Sequence, residues 1–106
     1  VIAGIKIELG GRELVVPPLN LRALIDLQDR LKAYRAGAFD AESISLVVEC
    51  AHRALARNYP DDVTVAFLEE YIDLGNMVDV MNAVLDVSGL RRKKGEEEAK
   101  GETAAG

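Results

Sequence analysis

Asn20, Asp40 and Thr64 each stand one residue after a large apolar side chain and four residues before another. The pairs are Leu19 with Leu24, Phe39 with Ile44, and Val63 with Leu68. A side-chain oxygen at the cap accepts from an otherwise orphaned backbone N–H, and the apolar pair staples the incoming chain across the first turn. Three coincidences of cap and staple predict three helix starts, and the entry direction of the chain at each. The helices should run over about 20–36, closed by Gly37, over about 40–58, closed by Pro60, and over about 64–74. A fourth is predicted between Met77 and Val87, with Asn76 as cap, Asp79 as a partial capping box and Gly89 as stop. It has no staple, because Gly75 precedes its cap.

Ahead of the helices the chain reads as a hairpin. Ile5, Ile7 and Leu9 alternate with Lys6 and Glu8, Gly10-Gly11 supplies two positions tolerant of positive φ, and Arg12 to Val16 returns. Pro17-Pro18 ends the ladder, since proline has no N–H to donate. The expected fold is therefore α+β and mostly helical: a two-stranded hairpin packed on about four helices within one domain, residues 1–90. The remaining residues, 91–106, lack any hydrophobic period and are expected to be a disordered, charged tail. The chain begins at Val1 rather than methionine, so a natural start upstream is expected.

The apolar faces of the first three helices have ordinary width. The expected core residues are Leu21, Leu24, Leu27, Leu31 and Tyr34 on the first helix, and Ile44, Val47, Val48, Ala51 and Leu55 on the second. The third contributes Phe67, Leu68, Tyr71 and Ile72. The fourth helix differs. At about 100° per residue, Asp79, Asn82 and Asp86 share a sector of about 60°, and eight apolar residues cover the other roughly 220°. One reading is a helix buried on both flanks. The other is a helix with one flank in the core and one offered to a partner. On the second reading Val80, Val84 and Val87 contact the partner, with Met77 at the boundary, while Val78, Met81 and Leu85 face the core. Periodicity leaves the reverse assignment open. Met77 and Met81 suit a groove that accepts varied sequences, because the thioether side chain is flexible. A half-covered arc would also promote homo-oligomers.

Charge narrows the partners. Residues 1–90 carry 8 Lys and Arg against 14 Asp and Glu, a balance of −6, so clustered cations for phosphate contact are lacking. Nucleic acid and anionic membrane are not expected partners, and no apolar run approaches the roughly 18 residues of a membrane span. A single cysteine, Cys50, excludes an internal disulfide and suits a reducing cytoplasm. Cys50 and His52 are two apart, which on a helix sets them on different faces. Cys50 reads as core, and His52 as an exposed partner of Glu49. Glu69, Asp73 and Asp61-Asp62 read as a solvated acidic face before a cation site. Ser43 and Ser45 lack the Asp-Ser-Leu context of an acyl carrier, and no phosphate loop or nucleophile elbow is present. No catalytic, cofactor-binding or metal-binding residue is assigned.

Several short motifs in one order complete the reading. "LGGRELVVPPLNL", Asn58-Tyr59-Pro60-Asp61, the Thr64-capped helix, Asp73-Leu74-Gly75-Asn76 and the closing Ser88-Gly89 together resemble the tail assembly chaperones of long-tailed bacteriophages and prophages. The resemblance spans about residues 5–90. It implies a host-cytoplasmic protein that binds the tape measure protein and keeps it soluble while tail tube subunits assemble. Such a protein is absent from the finished virion, and in many relatives a frameshifted longer product recruits the tail tube protein. A small structural tail or head–tail connector subunit is the alternative, and a regulatory domain that binds one helix is a third.

Overall fold

A computed structural model describes residues 1–90. The two strands predicted from alternation are β1 (Ile5–Leu9) and β2 (Arg12–Val16), paired antiparallel with Ile5 opposite Val16 and Leu9 opposite Arg12. Gly10 and Gly11 both have positive φ, 59° and 74°, as a two-residue hairpin loop requires. Leu9, Leu14 and Val16 are buried on one face of the ribbon.

Four helices follow: α1 (Leu21–Ala33), α2 (Ala41–Leu55), α3 (Val65–Tyr71) and α4 (Met77–Val87). Asn20, Asp40 and Thr64 cap the first three as expected, their side chains accepting from the N–H of Ala23, Ser43 and Phe67. The first three helices end earlier than predicted. Tyr34 and Ile72 are already extended, each closing its helix with an N–H donated to the carbonyl three or four residues back. At the fourth start the expected box does not form. The Asn76 side chain instead accepts from the Asp73 N–H at 2.9 Å and donates to the Tyr71 carbonyl at 3.0 Å, while Asp73 accepts from the Asn76 N–H at 3.0 Å. Asn76 therefore ties the end of α3 to the start of α4, and Asp79 plays no part in those bonds.

Helix α2 is the hub of the packing, touching α1, α3, α4 and β2, while α4 is held between α2 and both strands. That placement explains the broad apolar arc of α4. Met77, Val80, Met81, Ala83 and Val84 are all buried, an arc of about 160°. Val78, Leu85 and Val87 pack half-buried against the same core. Among its eleven residues only Asp79 is fully exposed. The central reading of α4 therefore holds, and the buried flank is that of Val80 and Val84.

Polar groups close the seams. Backbone groups of β2 that point away from β1 still need partners. Tyr59 Oη accepts from the Val15 N–H at 2.8 Å, and Asn58 Nδ2 donates to the carbonyls of Ile2 and Val15. Ser88 Oγ accepts from the Leu19 N–H at 2.9 Å, and Arg57 donates to the Pro18 carbonyl. Asn58-Tyr59 thus fasten the end of α2 to the hairpin, and Ser88 fastens the end of α4 to the segment that leads into α1. Residues 91–106, including the expected tail, lie outside the described residues.

Candidate functional site

Residues 41, 44, 45, 48, 49 and 52 of α2 recur at the helical spacing of one stripe, next to the stripe that carries Leu46, Val47, Cys50, Ala51, Ala54 and Leu55 into the core. Helix α3 faces this second stripe with Val65 and Glu69, the α3–α4 junction adds Ile72, Asp73 and Leu74, and α4 adds Met77. Between them runs an open groove of about 900 Å³. Its apolar walls are Ile44, Val48, Val65, Ile72 and Leu74, with Met77 below. Ile44 is 40% exposed, Val65 42% and Leu74 65%. From Ala41 to Arg53 the α2 wall is about 18 Å long at 1.5 Å per residue, room for roughly three turns of a docked helix.

Charged groups around the groove are unevenly committed. Arg30 of α1 donates to Glu49 at 2.6 Å and to Glu42 at 2.9 Å, which raises its own pKa, chiefly through the Glu49 bond. Arg53 donates to Asp26 at 3.1 Å, and Arg22 lies 3.7 Å from the same carboxylate. These contacts clamp α1 onto α2 and leave Glu49 and Arg53 largely offset. Glu69 has no hydrogen-bond or ion-pair partner among the described residues, and Asp73 accepts only from the backbone of Asn76.

A second cleft, about 570 Å³, lies between α1 and the end of α4, lined by Leu21, Leu24, Ile25, Leu31, Leu85 and Leu90. Leu21 and Ile25 are 76% and 55% exposed, so Leu21 is a surface residue and not the core residue expected of it. Helix α1 rests mainly on α2 through Ala23 and Leu27, which turns Leu21 outward.

The four residues proposed on α4 as partner contacts are separated by the fold. Val84 is 0% exposed and Val80 3%, so neither is available to a partner while the domain is folded. Val87 packs half-buried on the core, and Met77 alone lines the groove. The correction has a simple cause: α4 lies between α2 and both strands, so both of its flanks are covered. Ile44, expected in the core, is exposed on the groove wall, whereas Val48 packs half-buried against the core and also lines the groove; nothing in the sequence marks Val65 or Leu74 for this site. The signal in the sequence is the apolar face of α2, which is wider than the ordinary width expected of it, with Ile44 beyond the stripe that the core uses.

The thiol of Cys50 is fully buried, and burial pushes its pKa up to about 12, so it is a packed side chain and not a nucleophile at neutral pH. Glu49 binds Arg30, so the expected His52–Glu49 pair is not formed; His52 lines the groove instead. Tyr34 Oη is buried with no hydrogen-bond partner among the described residues, beside a small hollow of about 210 Å³, and burial raises its pKa. Among the described residues no three His, Cys, Asp or Glu side chains converge as metal ligands, and no helix is long and apolar enough to cross a membrane. The arrangement can hold an apolar helix face. No protein-family model, curated protein or solved structure matches the chain.

Proposed function

We propose that this protein is a non-catalytic tail assembly chaperone of a long-tailed phage or prophage, which binds the tape measure protein in the host cytoplasm and keeps it soluble. The observation that supports the reading is the α2–α3 groove, a helix-sized trough with exposed Ile44, Val65 and Leu74 on its walls. Apolar grooves of this length take amphipathic helices through anchors spaced three or four residues apart. The client site is this groove and not the buried flank of α4, and Met77 lies in both. The chaperone acts by covering apolar helix faces of a long client and is not retained in the particle; contact with the tail tube protein belongs to a longer product.

Co-expression with a tape measure protein tests the proposal. The client stays soluble with the native chain and precipitates with Ile44→Lys or Leu74→Lys, while the circular dichroism of both variants matches the native spectrum. A client equally soluble with every variant sinks the groove assignment. Recovery of the chain in stoichiometric amounts from purified particles would favour a structural tail subunit instead. Self-association belongs to the same proposal, seated now on Leu21 and Ile25 of α1, and sedimentation of Ile25→Lys against the native chain measures it.

A further inference from the structure

Charge divides the molecule more sharply than its net value suggests. From Asn58 to Leu90 there is no Lys or Arg, and there are seven acidic residues: Asp61, Asp62, Glu69, Glu70, Asp73, Asp79 and Asp86. All eight cations of residues 1–90 lie before Asn58. The α2–α3 groove runs along this division. On its α2 rim the carboxylate of Glu49 is held by Arg30 and the guanidinium of Arg53 by Asp26. On its α3 rim Glu69 has no partner among the described residues, and Asp73 beside it meets only a backbone N–H.

We infer that the occupant of the α2–α3 groove is a cationic amphipathic helix, one whose apolar stripe is bordered by Lys or Arg on the edge that faces Glu69 and Asp73. This rests on the groove being the client site proposed above and adds the chemistry of the client. Unpaired carboxylates beside an apolar trough attract a helix that carries cations next to its apolar stripe. They repel one that carries acids there, since like charges brought together at an interface oppose docking. The other rim is already balanced, so the selection acts on one edge of the helix only. A second copy of this chain docked through its α3–α4 segment is a poorer fit, because that segment brings no cation to meet the rim. Residues 91–106 bring cations but no apolar side chain larger than alanine to fill the trough.

Three fluorescent peptides of about 18 residues, long enough to hold helical structure on docking, share one Leu stripe and carry Lys, Gln or Glu along one edge. Their binding to the full chain is measured by anisotropy at low and high salt. The Lys peptide binds about tenfold tighter than the Glu peptide at low salt, and the preference shrinks as salt screens the rim. Glu69→Gln weakens the preference, and Glu69→Lys removes or inverts it, with the circular dichroism unchanged because the side chain is exposed. Three peptides binding alike, all lost in Ile44→Lys, would overturn the charge inference and leave the groove standing. A Lys preference that survives Glu69→Lys would also overturn it, by placing the anionic contact elsewhere. If no peptide binds, or if peptide binding only competes with self-association of the chain, the groove reading itself fails.

Discussion

Helices α2 and α4 both carry more apolar surface than one packing stripe needs, and they meet opposite fates. Helix α4 runs between α2 and the hairpin, so both of its flanks find cover and only Asp79 is left fully in solvent. Helix α2 is covered on its core stripe but meets only the seven residues of α3 on the next, and the short helix leaves Ile44 and Val65 in the open. The arc on α4 is the wider of the two, yet the vacant surface is on α2. Apolar width measures how much cover a helix can accept; the neighbours decide how much it receives.

The strongest way to break this comparison is to place a charge on each helix in turn. Val84→Lys on α4 buries an ammonium with no partner, and the cost exceeds about 4 kcal/mol, enough to unfold a domain of ordinary stability. Loss of the cooperative thermal transition is the expected result; a folded Val84→Lys domain would return α4 to the surface. A gentler version is Met81→Ala, where a side chain with no exposure is truncated, and urea denaturation should register a loss of about 2–5 kcal/mol.

The core stripe of α2 can be probed through its thiol. Burial raises the Cys50 pKa from 9.0 to about 12, so the native state keeps a proton that the unfolded chain releases earlier. Stability from this group is complete below about pH 9 and is lost as pH rises through the folded value near 12. Alkylation at pH 8.5 should accordingly follow global unfolding and be negligible in the native protein. Rapid native labelling would show that this stripe, like its neighbour, is open. The smallest effect belongs to the groove. Ile44→Lys should change stability by only about half a kcal/mol, measured by the same denaturation, since its side chain already reaches water. A loss as large as that of Met81→Ala would mean that the groove is core, and the contrast between the two helices would disappear.

What could be read in advance was local. The caps at Asn20, Asp40 and Thr64 act through a side chain and a backbone N–H three residues away, so a short window of sequence contains the whole interaction. The Gly10-Gly11 turn is local in the same sense, because positive φ is a property of the residue. Helix ends are less local. Tyr34 and Ile72 leave the helix although their residue types permit it to continue, and at Asp73-Asn76 a reciprocal pair of hydrogen bonds replaced the box expected within α4.

Order and type of every element, the hairpin register and the three side-chain caps were thus determined by the sequence itself, through contacts a few residues apart. Which flank of α4 lies inside, that Leu21 faces solvent, and that Glu49 binds Arg30 and not His52 were decided only by the tertiary structure. The reason is physical. An apolar stripe specifies burial but not the neighbour that provides it, and a carboxylate takes whichever cation the packing of two helices brings within reach. The open groove is the same effect seen from outside: α2 has the stripe, and the shortness of α3 and the position of its junction with α4 determine that much of it stays uncovered.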